Sequence, residues 1–103
     1  MRKLVRDKIP ALIKQDGQDL PSGTYSKKEF RAALLEKLVE EAREAQATEG
    51  EEFKLTEELG DLIEVIDAVV EEFGLPEDMV LYEKSKKREK KGGFSRRFWV
   101  DFK

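Results

Sequence analysis

Two stretches of helical periodicity, separated by three residues, constrain this chain more than anything else in it. From Ser26 to about Ala47, apolar residues recur at Phe30, Leu34, Leu38, Ala42 and Ala45. From about Glu51 to Phe73 they recur at Leu55, Leu59, Leu62, Ile66, Val69 and Phe73, widened by Ile63 and Val70. Both have the spacing of one helix face. Ser26-Lys27-Lys28-Glu29 is a capping box that starts the first helix. Thr48-Glu49-Gly50-Glu51 repeats that pattern around a Gly and marks the turn into the second. Two apolar stripes joined by so short a link predict an antiparallel helical pair.

The flanks are weaker in signal. Met1–Val5 reads as extended, and Asp7 is expected to cap a brief helix over roughly Lys8–Gln15, with Pro10 in its first turn. Asp16–Tyr25 reads as loop. Gly74 suits the end of the long helix. Pro76 is expected at the first position of a fourth helix, which runs to about Lys91 and stops at Gly92-Gly93. The tail alternates at Phe98, Val100 and Phe102, which predicts a strand, with Lys3-Leu4-Val5 as its natural partner. Phe98 and Trp99 read as packing residues of that tail. The expected fold is all-α: a small antiparallel bundle of about four helices with short extended N- and C-terminal segments, in one domain over residues 1–103. Burial in so small a domain is incomplete, so a dimer is expected.

Within the helical pair the acids are patterned. Glu41/Glu44 and Glu58/Asp61 are each three residues apart, and such pairs share a helix face. On the first long helix the stripe centre lies roughly 60° from Glu41, with Glu44 another ~60° out. On the second it lies about 70° from Glu58, with Asp61 ~60° beyond. The two pairs hold matching positions relative to their stripes, so packing the stripes converges them at one rim. Four carboxylates sharing a site call for a cation, and hard oxygen ligands suit Mg²⁺ or Mn²⁺. Most of the 23 acids are a solvated helix face. Glu64/Asp67 has the same spacing but lies further round, ~140° against ~100° at the pair midpoints; Asp67 stays within reach from the next turn. Glu40 is more exposed by the same count, and is either an outer supporting group or a base acting on water. Lys37, one turn before Glu41, has two readings: an ion pair with Glu41, or a phosphate contact.

Charge is uneven. Residues 40–72 hold thirteen acids and two basic residues, whereas 84–97 hold eight Lys/Arg and one acid. An acidic centre with a basic end suits a ligand that brings metal and phosphates together. Lys84, Lys87, Arg88, Lys91 and Arg97 are the phosphate-binding candidates, each weighed against a plain solubilising role. With no His and no Cys, imidazole and thiolate chemistry are excluded, and proton transfer falls to carboxylates, Lys, Tyr or water. No apolar run approaches the ~20 residues of a membrane span, and the N-terminus lacks a signal-peptide core; a cytoplasmic protein with no membrane partner is expected.

At these residues the chain resembles the all-α nucleoside triphosphate pyrophosphohydrolases, the MazG-like superfamily. Glu40-Glu41-x-x-Glu44 followed by Glu58-x-x-Asp61 is similar to that superfamily's paired acidic motifs. Within it the chain most resembles the phosphoribosyl-ATP pyrophosphohydrolase-like group. Lys3–Pro10 looks like that group's opening, Lys37–Ala42 and Glu57–Leu62 like its motif helices, and Lys91–Phe94 followed by Arg97 like its closing segment. The resemblance implies a dimerising helical fold, metal ligation by Glu41, Glu44, Glu58 and Asp61, and Mg²⁺-dependent cleavage between the α and β phosphates of a nucleotide.

The expected function is therefore hydrolysis of a nucleoside triphosphate or phosphoribosyl-ATP-like substrate to a monophosphate and pyrophosphate, in a biosynthetic or a house-cleaning role. Glu40 and Glu41 are the carboxylates expected to serve catalysis, and a homodimer or higher homo-oligomer is the expected state. A nucleic-acid-binding module is the first alternative; its basic end supports it, while the net charge of −3 argues against a phosphate-tracking surface. A catalytically idle helical interaction module is the second.

Overall fold

A computed structural model describes residues 1–103 and contains four helices and no strand. They are α1 (Ile9–Gln15), α2 (Lys27–Ala47), α3 (Glu52–Glu72) and α4 (Glu77–Lys91). The all-α class is as expected. The chain divides into two compact units, Met1–Phe73 and Gly74–Lys103.

In the first unit α2 and α3 form an antiparallel hairpin. The box at Ser26 closes as the sequence predicts: its hydroxyl accepts from Glu29 N–H at 3.2 Å, and the Glu29 carboxylate accepts from Ser26 N–H at 3.1 Å. The link between the helices is built differently from expectation. Thr48 does not open α3; it closes α2, its hydroxyl donating to the Ala45 carbonyl at 2.7 Å and accepting from Gly50 N–H at 3.3 Å. Glu51 is the N-cap of α3, its carboxylate accepting from Phe53 and Lys54 N–H. The chain turns at Glu49 and Gly50, both with positive φ, which is why a glycine serves here. At the far end of the hairpin, Arg31 of α2 donates to the Glu72 carboxylate (3.0 Å) and Glu72 carbonyl (3.2 Å), and its guanidinium lies 5.0 Å from the Phe73 ring centroid.

The seam between the two helices is rotated from the expected stripes. Leu34 and Glu41 of α2 are buried and Leu38 and Ala45 are half-buried, while Ala42, expected inside, is exposed. On α3 the half-buried line runs through Leu55, Glu58, Leu62, Val65 and Val69, leaving Leu59, Ile63 and Ile66 exposed. Both helices thus carry more apolar surface than one partner covers. The surplus forms outward rows, Leu35 and Val39 on α2 and Leu59, Ile63 and Ile66 on α3.

Two further expectations are corrected. Asp7 does not cap α1; the N-cap is Lys8, with no side-chain cap bond, and Asp7 lies in the turn closed by Ile9 N–H donating to the Arg6 carbonyl. Neither Lys3–Val5 nor Phe98–Phe102 is a strand. Alternation alone does not supply the ladder partner that extended backbone needs. Phe98, Trp99, Val100 and Phe102 are accordingly exposed rather than packed. In the second unit, α4 begins after Pro76, as its N-cap rather than its first residue, and ends at Gly92, whose φ of 87° suits glycine. No helix is long and apolar enough to cross a membrane.

Candidate metal centre

The rotation of the seam has a chemical consequence: it carries acids inward. Glu41 is 6% exposed, and Glu58 is half-buried. With Glu44 they form a group in which one carboxylate oxygen from each residue lies within 4.8 Å of the other two. Glu41 and Glu44 come from successive turns of α2, and antiparallel packing brings Glu58 of α3 opposite them. One oxygen each of Glu41 and Glu58 is buried without a hydrogen-bond partner. Buried carboxylate oxygens are costly when unpartnered. Burial pushes the Glu41 carboxyl up, and the neighbouring Glu44 and Asp61 charges add to it against the opposing pull of Lys37. Glu58 is likewise raised, by burial first and then by Glu44 and Asp61. Three converging carboxylates with two orphaned oxygens are a donor set that fits a hard divalent cation.

Asp61, the fourth expected ligand, lies on α3 one turn beyond Glu58 but outside the three-acid group. Its Oδ1 accepts from Arg6 Nη2 at 2.7 Å. Glu64 and Asp67 are exposed and also outside the group. Glu40 is half-buried beside the cluster and binds two lysines: Lys3 Nζ at 3.3 Å and Lys37 Nζ at 3.3 Å. Burial raises its carboxyl, but the bonds from Lys37 and Lys3 outweigh it and hold Glu40 below the usual carboxylate range. Lys37 makes the ion pair with Glu41 that its spacing allows, at 3.7 Å.

Lys84, Lys87, Arg88 and Lys91 are exposed on α4, and Arg97 follows in the second unit, at the end of a turn closed by its N–H on the Phe94 carbonyl. There the Arg88 guanidinium lies over Gly93, where a Cβ would stand 3.1 Å from Nη1.

Lys3 and Arg6 are the residues that reading by pattern missed. They lie in chain without regular secondary structure, where no helical period points at a partner. The only signal was their place in an opening segment recognised by likeness. Beside the hairpin, Lys3, Leu4, Tyr25, Lys37, Glu40 and Glu44 share in lining a groove of about 610 Å³.

The fold and site are those of an all-α helical hairpin with a carboxylate cluster in its seam that could hold a metal ion. The chain belongs to the phosphoribosyl-ATP pyrophosphohydrolase family, whose model matches residues 7–88. That span takes in the α2–α3 hairpin and most of α4. Neither the curated proteins nor the solved structures give a match to this chain.

Proposed function

We propose that the chain is a Mg²⁺-dependent nucleotide pyrophosphohydrolase, with Mn²⁺ able to replace Mg²⁺. It cleaves the bond between the α and β phosphates of a nucleoside triphosphate or a phosphoribosyl-ATP-like substrate. Water adds across that bond, giving a monophosphate and pyrophosphate. The observation that carries this reading is the convergence of Glu41, Glu44 and Glu58 with unpartnered buried oxygens on two of them. Family membership supports it.

Glu41, Glu44 and Glu58 hold the metal, and Asp61 joins them from the adjacent turn. A divalent cation held there would neutralise phosphate oxygens and polarise a water for attack. The proton of that water passes to a carboxylate, for which Glu40 and Glu41 are the candidates in a chain without His. Lys37, anchored between those two acids, keeps a positive charge beside the reacting phosphates. Lys84, Lys87, Arg88, Lys91 and Arg97 bind phosphate oxygens. The groove beside α2 takes the remainder of the nucleotide. The chain works as a homodimer or higher homo-oligomer, and the outward apolar rows of α2 and α3 support this.

The test is a panel of nucleoside triphosphates and phosphoribosyl-ATP, each with Mg²⁺ or Mn²⁺, with phosphate products separated. Pyrophosphate is the expected product. Release of orthophosphate, or full activity in both Glu41→Gln and Glu58→Gln, would falsify the reading.

A further inference from the structure

Two ion pairs tie the N-terminal segment to the hairpin, one on each helix. Lys3 binds Glu40 of α2, and Arg6 binds Asp61 of α3 at 2.7 Å. Glu40 precedes Glu41 in the chain, and Asp61 is one turn after Glu58, so the segment spans the edge of the carboxylate cluster.

The backbone at Arg6 is tied into a turn. Its carbonyl accepts from Ile9 N–H at 3.0 Å, and Leu4, two residues earlier, is half-buried. Its side chain is 60% exposed and makes a single hydrogen bond, from Nη2. The other N–H groups of a five-donor planar fork are left for a ligand. Asp61 meanwhile stands close enough to Glu41 and Glu58 for its charge to raise both. Lys37 pairs with Glu41 from within α2 at 3.7 Å, and Arg6 is a second cation, held at the edge of this crowded anionic site by Asp61.

We propose that Arg6 is a phosphate-contacting residue that exchanges partners. Its guanidinium pairs with Asp61. When the metal and a phosphorylated substrate enter together, Asp61 gains the stronger divalent partner, and Arg6 turns to a phosphate oxygen. The turn hydrogen bond at Arg6 and the unused donors of its guanidinium suit that exchange, because only side-chain torsions need to move. This rests on the metal-centre reading above.

The experiment measures Mn²⁺ binding to the metal-free chain from the spectrum of free Mn²⁺. It then measures binding of labelled inorganic pyrophosphate by equilibrium dialysis at saturating Mn²⁺. Wild type is compared with Arg6→Gln, Arg6→Lys and Glu58→Gln. Arg6→Gln should bind Mn²⁺ at least as tightly as wild type, since a competing cation is gone. Its pyrophosphate affinity should fall about tenfold, the value of one charge-assisted hydrogen bond. Arg6→Lys should recover part of that loss, and Glu58→Gln should lose Mn²⁺ itself. A fall in Mn²⁺ affinity in Arg6→Gln to match Glu58→Gln overturns the proposal, because Arg6 then only sets Asp61 for the metal. Unchanged pyrophosphate affinity with Mn²⁺ binding intact also overturns it. A wild-type chain that binds no Mn²⁺ overturns the metal reading, and the exchange with it.

Discussion

Leu34 and Glu41 lie on one face of α2, two turns apart, and are the two buried residues of the chain, 3% and 6% exposed. The leucine is what a core position asks for. The carboxylate two turns on is not, and its burial among other acids outweighs the 3.7 Å pair with Lys37.

Glu41→Gln should therefore stabilise the metal-free protein at neutral pH, by on the order of 1 kcal/mol, or about 4–8 °C in a domain of this size. The pH dependence has a definite sign. The Glu41 and Glu58 carboxyls are raised from 4.5, so the folded state holds their protons more tightly than the unfolded chain. Their contribution is fully present below about pH 4.5 and is lost as pH rises through the raised folded values. Glu40 acts in the opposite direction, its contribution being lost as pH falls. Thermal melts in chelator across pH 4–8 should show wild type losing ground to Glu41→Gln as pH increases. Saturating Mn²⁺ should reverse the order, because binding to the folded state adds about 2.7 kcal/mol at a hundred times Kd. Parallel melting curves at every pH would contradict this.

Ser26→Ala removes an acceptor for Glu29 N–H and dissolves the capping box. The expected cost is about 1 kcal/mol at neutral pH. The backbone and side-chain bonds to Ser26 hold Glu29 below its usual range, so the Glu29 contribution is present at neutral pH and is lost as pH falls. Urea denaturation at pH 7 and at pH 4 measures both. The difference between variant and wild type should be smaller at the lower pH.

Arg31→Ala removes the clasp between the start of α2 and the end of α3. The ion pair to Glu72, the bond to its carbonyl and the stacking on Phe73 go together. A loss of roughly 1 kcal/mol is expected, since each part is partly exposed and screened. Mn²⁺ affinity should be unchanged, because the carboxylate cluster lies further along the hairpin. Titration of the variant with Mn²⁺ checks this.

Ile63→Lys places a charge in the outward row of α3, at a position 58% exposed in the single chain. Its stability as a monomer should change by less than about 0.5 kcal/mol. Its assembly should not survive, since apolar surface is what a self-association interface buries. Sedimentation of wild type and variant over a range of concentrations distinguishes the two. A wild-type chain that sediments as a monomer throughout would remove the basis for a homo-oligomer.

Much of this hairpin was legible because helical period and capping chemistry are local. Ser26 and Glu29 announce α2, and Gly74 and Pro76 bracket the next break, from residues within one turn of each other. The rotation of the seam was not legible. A stripe drawn through apolar residues places Ala42 and Leu59 inside, whereas the packed pair turns Glu41 and Glu58 in instead. Composition alone cannot say that a face is wanted by something other than its helical partner. The strand expected at Phe98–Phe102 failed for a related reason: alternation describes a face, and a face is not a partner. Arg6 lay beyond pattern altogether, because its link to Asp61 spans 55 residues and begins in chain with no period.

The turn between the helices leaves only Glu49 and Gly50 between the residue that closes α2 and the one that opens α3. That shortness works as a ruler. One residue inserted after Gly50 and taken up by α3 would rotate everything beyond it by ~100° and slide it about 1.5 Å. Glu58 would then swing away from Glu41 with every acid still in its place in the sequence. A single-codon insertion that alters no charge and touches no ligand is thus enough to disarm the cluster, whereas the Asp16–Tyr25 loop can absorb the same insertion without cost.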